Sequence, residues 1–110
     1  MRKAYIGELE EVILLTVAIL QDNAYGVAIG LHLQQDLNRK LSISAIHATL
    51  DRLSKKGFVT SHMGGATAER GGRRKRYFKV TAAGSRVLTE IQEVRAQLWS
   101  QIPPNALAAI

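Results

Sequence analysis

A chain of 110 residues, 46% of them hydrophobic, is long enough for one domain with a modest core. The absence of cysteine excludes a disulfide framework, a thiolate metal site and a cysteine nucleophile. The net charge of +6 is unevenly placed, since residues 31–80 hold eleven cations and three acids whereas the remainder has a net charge of −2. A basic centre of this kind indicates a polyanionic partner.

The N-terminal segment lacks the features of a targeting or membrane segment. Acidic residues follow Met1 closely and no small-residue cleavage site is present, which argues against a signal peptide. The longest apolar-rich run, residues 12–20, is far shorter than the roughly 20 residues of a membrane span. We therefore expect a cytoplasmic protein with no membrane partner, in keeping with the absence of cysteine.

Two helices are predicted in the first third of the chain. The first covers residues 8–21 and is apolar around most of its circumference, so it should be buried on more than one side. The second covers residues 25–37. Its side chains expected to face the core are Val27, Leu31, Leu33 and Leu37. Glycine lowers helix stability by about 1 kcal/mol relative to alanine. We interpret Gly26 and Gly30 as small residues that allow close helix packing.

A third helix is predicted over residues 43–56. Ser42 is a typical N-cap residue, and Gly57 is placed to end the helix. The side chains expected to face the core lie on one helical face: Ile46, Leu50 and Leu53. Residues 58–63 and 77–80 are β-prone and are joined by a glycine-rich basic connection, so they are predicted to form a hairpin with a long cationic tip.

Thr81 is expected to cap a fourth helix that reaches about Ile102 and is stopped by two prolines. Its apolar residues recur every three or four positions, as in a coiled-coil seam: Val87, Leu88, Ile91, Val94, Leu98 and Ile102. The predicted fold class is mainly α with a small β-hairpin. In this fold a winged helix-turn-helix (residues 1–80) precedes a C-terminal dimerisation helix and tail (residues 81–110), all within one structural domain.

The first and fourth helices carry more apolar surface than a three-helix core with a small hairpin can cover. The simplest arrangement that buries both helices is a symmetric homodimer. The residues predicted to form its interface are Leu9, Val12, Ile13, Ile91, Val94, Leu98 and Ile102.

Candidate nucleic-acid contacts follow from the helix-turn-helix placement, in which the second helix of the motif enters the major groove by its N-terminal part. The candidates on this helix are Ser42, Ser44, His47 and Arg52, with an intramolecular salt bridge as an equal alternative for Arg52. The wing candidates are Arg73, Arg74, Lys75 and Arg76. Because strand alternation sends neighbouring side chains to opposite faces, not all four face DNA, and mostly phosphate and minor-groove contacts are expected.

Other chemistry has little support in the sequence. Tyr77 and Phe78 would stack on bases if the ligand were single-stranded, or else anchor the wing in the core. His32, His47 and His62 are far apart and have no acidic pair at ligand spacing. The paired glycines lack the strand-to-helix context of a phosphate loop. We expect no metal, no cofactor and no enzyme activity.

Taken in order, these motifs resemble the PadR-type bacterial transcriptional regulators, in particular the short subgroup with a single C-terminal helix. The matching segments are Gly7-Glu8-Leu9-Glu10, Tyr25-Gly26, Ser42, Ile46-His47-Ala48-Thr49-Leu50-Asp51-Arg52-Leu53, Gly57, Gly71-Gly72-Arg73-Arg74-Lys75-Arg76-Tyr77-Phe78, Thr81 and Gly84. Ser44 departs from the glycine usual in the family, whereas His47 is an accepted variant.

The resemblance implies a dimeric regulator of transcription, in the form of a repressor that binds double-stranded DNA. It also implies that some relatives bind small hydrophobic or aromatic effectors near the dimer interface. Trp99, beside the seam, would line such a pocket or serve as an ordinary interface anchor. The rival interpretation is a winged-helix module that binds protein or RNA through the basic wing.

Overall fold

The computed structural model describes residues 6–64 and 74–108. Its elements in chain order are α1 (Glu8–Leu20), a 3₁₀ turn (Gln21–Asn23), α2 (Gly26–Leu37), α3 (Ile43–Lys55), β1 (Val59–Met63), β2 (Arg76–Val80) and α4 (Ala82–Ser100). The two strands are antiparallel. The predicted class, mainly α with one hairpin in a winged-helix arrangement, is confirmed, and each predicted helix ends within two residues of its expected bound.

The core lies between α1, α2, α3 and one face of the hairpin. Its fully buried large side chains include Phe78, Ile13, Leu14, Ile29, Leu33, Ile46, Leu50 and Leu53. Ile13 is completely buried inside the chain's own core, so it has no surface left for a partner and is removed from the expected dimer interface. Leu9 and Val12 are half-buried and pack against the same core.

The buried face of α2 is not the predicted one. Val27, Leu31 and Leu37 are more than half exposed, and Ile29 faces the core beside Leu33. Gly26 and Gly30 explain which face of α2 is buried, because their missing side chains let the face that contains them approach α3. A Cβ on Gly26 would lie 2.9 Å from Ile43 Cδ1, and one on Gly30 would lie 3.1 Å from Ile46 Cδ1. The interpretation that these glycines permit close packing is therefore confirmed, while the assignment of Val27, Leu31 and Leu37 to the core is wrong.

The N-cap of α3 and the hairpin agree with the sequence. Ser42 Oγ accepts a hydrogen bond from the Ala45 amide at 3.0 Å, and Gly57 follows the helix with a φ of 83°. The amide of Phe78 donates to the Ala24 carbonyl at 2.9 Å, beside an isolated β-bridge between Tyr25 and Tyr77 of β2. Phe78 is 1% exposed, so of its two alternatives it anchors the wing in the core.

Only the first half of α4 contains buried residues. Thr81 Oγ1 accepts from the Gly84 amide at 3.0 Å and donates to the Gly57 carbonyl at 2.7 Å. Val87 is buried, whereas every residue in the range 92–100 is exposed. The Cα radius of gyration is 16.8 Å, compared with about 13 Å for a compact chain of this length. No helix among the described residues has the length and apolar character needed to cross a membrane.

A buried carboxylate joins α1 to the C-terminal end of α3. The Glu10 side chain accepts a hydrogen bond from the Gly7 amide at 2.9 Å and two from Lys56 Nζ at 2.9 and 3.0 Å, and Arg52 Nε lies 3.6 Å away. Burial raises the pKa of Glu10, but the Gly7 hydrogen bond and the two cations outweigh burial and lower it below its usual value of 4.5. The carboxylate is therefore stabilised in its charged form in the folded state.

Glu10→Gln is expected to lower the free energy of unfolding at pH 7 by about 2 kcal/mol, because hydrogen bonds to a charged acceptor are lost. Because the folded-state pKa is depressed, the contribution of Glu10 is present above pH 4.5 and is lost as the pH falls through the folded value. Urea unfolding from pH 7 to pH 3 would measure both effects, with the exposed Glu90→Gln as control. A variant that loses stability in acid as steeply as the wild type would contradict this role.

Candidate nucleic-acid interface

The N-terminal end of α3 is open to solvent beside the hairpin. Ser42, Ile43 and Ser44 are exposed, although the Ser42 oxygen is already used to cap the helix. Ile46, Leu50 and Leu53 hold the opposite face in the core. The N-terminal end of α3 is therefore accessible to a ligand, and the packing of the buried face fixes the orientation of the helix.

His47 lies at the junction of α2, α3 and the hairpin. Its side chain is half-buried, and its ring centroid is 6.3 Å from that of Phe78. A Cβ added to Gly26 would lie 2.7 Å from its Nε2 atom. The imidazole thus packs between elements, whereas the sequence placed it among the outward-facing side chains of α3.

Arg52 contacts other side chains of this chain, although its own side chain is 53% exposed. Its Nη2 donates to Thr49 Oγ1 at 3.1 Å, and its Nε lies 3.6 Å from the buried Glu10 carboxylate. Of the two alternatives for Arg52, the structure contains the intramolecular salt bridge. The same carboxylate binds Lys56, so Glu10 holds two cations of the C-terminal end of α3.

The wing cations diverge, as strand alternation requires. Arg76 Nε donates to Ser61 Oγ at 3.2 Å, and Nη1 lies 3.7 Å from Asp51 Oδ1 on α3. Lys75 turns the other way, with Nζ 4.2 Å from the centroid of the Tyr25 ring. Arg74 is exposed and has no ion pair with the part of the chain that the structure describes, and Arg73 lies outside that part.

Two further exposed cations flank α3. Lys40 lies in the turn before the helix, and Lys55 is its last residue. Neither forms an ion pair within residues 6–64 and 74–108. In the sequence, Lys40 and Lys55 contribute to the basic centre in the same way as any other cation. The structure distinguishes them, because the nearby cations Arg52, Lys56 and Arg76 have carboxylate partners. The described residues also contain no cluster of three potential metal ligands.

A groove of about 750 Å³ separates α1 from α4. Its lining combines apolar and polar side chains: Glu11, Leu15, Ala18, Val80, Ser85, Leu88, Thr89, Gln92, Arg95 and Ala96. Arg95 Nη2 donates to Glu11 Oε1 at 3.0 Å across it. Trp99 is not part of this lining and is 65% exposed.

Several solved structures share this fold. A PadR-like transcription factor from Bacteroides fragilis is 22% identical, with 86% of this chain and 85% of that chain covered and a TM-score of 0.71. A PadR-like transcriptional regulator from Bacillus cereus is 22% identical over 93% of each chain, with a TM-score of 0.70. Bacillus subtilis PadR, solved in complex with operator DNA, is 18% identical, with 84% of this chain and 59% of that chain covered and a TM-score of 0.64.

At these identities the structures show a common fold, and the family follows from the sequence. Among proteins with curated descriptions, none matches this chain. The model of the transcriptional regulator PadR-like family matches residues 14–90, which is more than half of the chain and includes α2, α3 and the hairpin. The chain therefore belongs to the transcriptional regulator PadR-like family, whose members are regulators of transcription and not enzymes.

Proposed function

We propose that the protein is a homodimeric repressor that binds a pseudo-palindromic duplex operator through residues 43–56 and the basic wing, residues 64–76. The observation that carries this proposal is the exposed N-terminal end of α3 beside a cationic hairpin. The same fold in Bacillus subtilis PadR was solved with operator DNA. A dimer seated on a promoter blocks polymerase by occupancy alone, which is why we propose repression.

The side chains divide into those that contact DNA and those that hold the interface in shape. Ser42 and Ser44 are assigned to the major groove, and Arg73, Arg74 and Lys75 are assigned to phosphates or the minor groove. The supporting residues are His47, which packs between elements, and Arg52 and Arg76, which form ion pairs within the chain.

Dimerisation is proposed from the apolar surface that one chain leaves open. On α1, Leu15 and Ile19 are 43% and 58% exposed, and on α4, Val94, Leu98 and Trp99 are 45%, 58% and 65% exposed. Four residues of the predicted interface are half-buried, and we assign them to its edge: Leu9, Val12, Ile91 and Ile102. A second copy that covers this surface would place two α3 helices about 34 Å apart, one turn of DNA.

The groove between α1 and α4 is the proposed effector site. Its volume of about 750 Å³ lies within the range usual for small-molecule sites. Leu15, Ala18 and Leu88 would contact a hydrophobic effector, while Glu11 and Arg95 supply polar groups. Trp99 is assigned to the dimer interface, because it does not line this groove.

The wild type is expected to bind DNA from immediately upstream of its own gene about a thousandfold more tightly than a scrambled duplex, as specific regulators do. Fluorescence anisotropy across a salt series would measure this preference, with one dimer bound per site. Replacing both Arg73 and Arg74 with alanine should weaken binding about a hundredfold and lower the salt dependence, since two phosphate-binding charges are lost.

Arg86→Ala, at an exposed cation of α4, is the control for the double variant and should bind normally. Equal binding to both duplexes would argue against an operator in that segment. No duplex binding even at low salt would favour the protein- or RNA-interaction module.

A further inference from the structure

Three rings form a row across the face of the hairpin that is turned away from the core. His62 and Tyr77 are cross-strand partners, and their stacked rings have centroids 5.7 Å apart. On its other side Tyr77 forms a β-bridge with Tyr25, and these rings meet edge to face at 5.5 Å. Lys75 lies over the Tyr25 ring. Phe78 follows Tyr77 in β2 and is buried, so Tyr77 and the row of rings lie on the opposite face of the sheet.

Tyr25 stands where the N-terminal half of α3 meets the wing. The residue after it, Gly26, packs against His47 and Ile43 of α3, and Tyr25 itself is bridged to Tyr77 of β2. A helix in the major groove and a wing in the adjacent minor groove lie on either side of one phosphodiester strand. Side chains at the junction of the two elements are therefore placed to meet that strand.

Both phenol hydroxyls are available to a ligand. Within the described parts of the chain, neither the Tyr25 nor the Tyr77 hydroxyl has a hydrogen-bond partner, and no buried polar atom is left unsatisfied. The hydroxyls therefore reach solvent, while ring contacts hold the two aromatic groups in place. Donors that are already positioned lose little conformational entropy when they bind.

We propose that Tyr25 and Tyr77 donate hydrogen bonds to phosphate oxygens of the DNA strand that passes between α3 and the wing, and that Lys75 supplies the positive charge. This assignment rests on the proposed function and adds two uncharged contacts to it. Contacts of this kind fix the position of the protein on the duplex without reading its sequence.

Tyr25→Phe and Tyr77→Phe test the hydroxyls, because each variant keeps the stacked ring. A mixed-sequence duplex of about 30 base pairs is a suitable probe, since phosphate contacts do not depend on sequence. Loss of one hydrogen bond to a charged acceptor should weaken binding about tenfold. The slope of log K against log salt should stay unchanged, because no charge is removed. Lys75→Gln should instead reduce that slope by about one.

Lys79→Gln is the matched control for Lys75→Gln. Lys79 lies on the same outer face, 3.9 Å from the Asp22 carboxylate, and its loss should leave the slope unchanged. Melting temperatures equal to the wild type would show that the phenylalanine variants fold normally, and the Lys75→Gln slope provides a readout independent of them.

The outcomes separate this assignment from the proposed function. If the wild type binds the duplex and both phenylalanine variants bind it with full affinity, the assignment alone is overturned. An equal loss of salt slope in Lys75→Gln and Lys79→Gln would also overturn the assignment alone. A wild type that binds no duplex at low salt would overturn the proposed function and the assignment with it.

Discussion

Replacing Leu98 with aspartate is expected to convert the protein into a monomer. Leu98 is 58% exposed on the half of α4 in which every residue is exposed, so the substitution should leave the fold of the single chain intact. In a symmetric dimer the change occurs twice, and burying each carboxylate in an apolar interface costs several kcal/mol. Sedimentation velocity would measure the change in mass.

The same substitution is expected to weaken specific DNA binding by more than about ten-thousandfold. A nanomolar complex corresponds to about −12 kcal/mol, and a monomer that makes half of the contacts keeps about half of that free energy. Binding would then fall into the range of tens of micromolar. Anisotropy with the same duplex as for the wild type would measure the loss.

Leu37→Asp is the matched control, because Leu37 is 56% exposed on α2 and does not line the groove between α1 and α4. It should remain dimeric and bind DNA normally. A Leu98→Asp protein that still sediments as a dimer would place the interface elsewhere. A monomer that keeps full affinity would show that DNA recognition does not require two copies.

Gly84→Ala is expected to lower the free energy of unfolding by about 3 kcal/mol, the upper part of the usual range for an overpacked site. An added Cβ would collide with the Phe58 carbonyl oxygen and lie 2.9 Å from Val80 Cγ1. The Phe58 carbonyl also accepts from the Thr81 amide at 3.0 Å, so it is held in place where α4 begins. Thermal and urea unfolding should both show the loss.

Gly30→Ala provides the comparison, since both glycines lie inside helices where alanine normally adds about 1 kcal/mol of stability. At Gly30 the added carbon would lie 3.1 Å from Ile46 Cδ1, the far end of a flexible side chain. That variant should therefore be close to the wild type. Similar stability changes in the two variants would mean that Gly84 is not a point of close backbone approach.

The sequence by itself determined the order of the elements and much of their local structure. Ser42 and Thr81 were recognisable as helix caps, Gly57 as a helix end, and the run Ile46, Leu50 and Leu53 as the buried face of α3. These features depend on groups within a few residues of one another, so their chemistry is visible in the local order of the chain. The family could be recognised for the same reason.

Only the tertiary structure decided which side chains face one another. α2 has apolar residues on two sides, and the approach of Gly26 and Gly30 to α3 selected the buried side. Arg52 and Arg76 belong to a basic segment in sequence but find Glu10 and Asp51 across the fold. Partners such as these are brought together by packing between elements distant in the chain, and no local pattern records them.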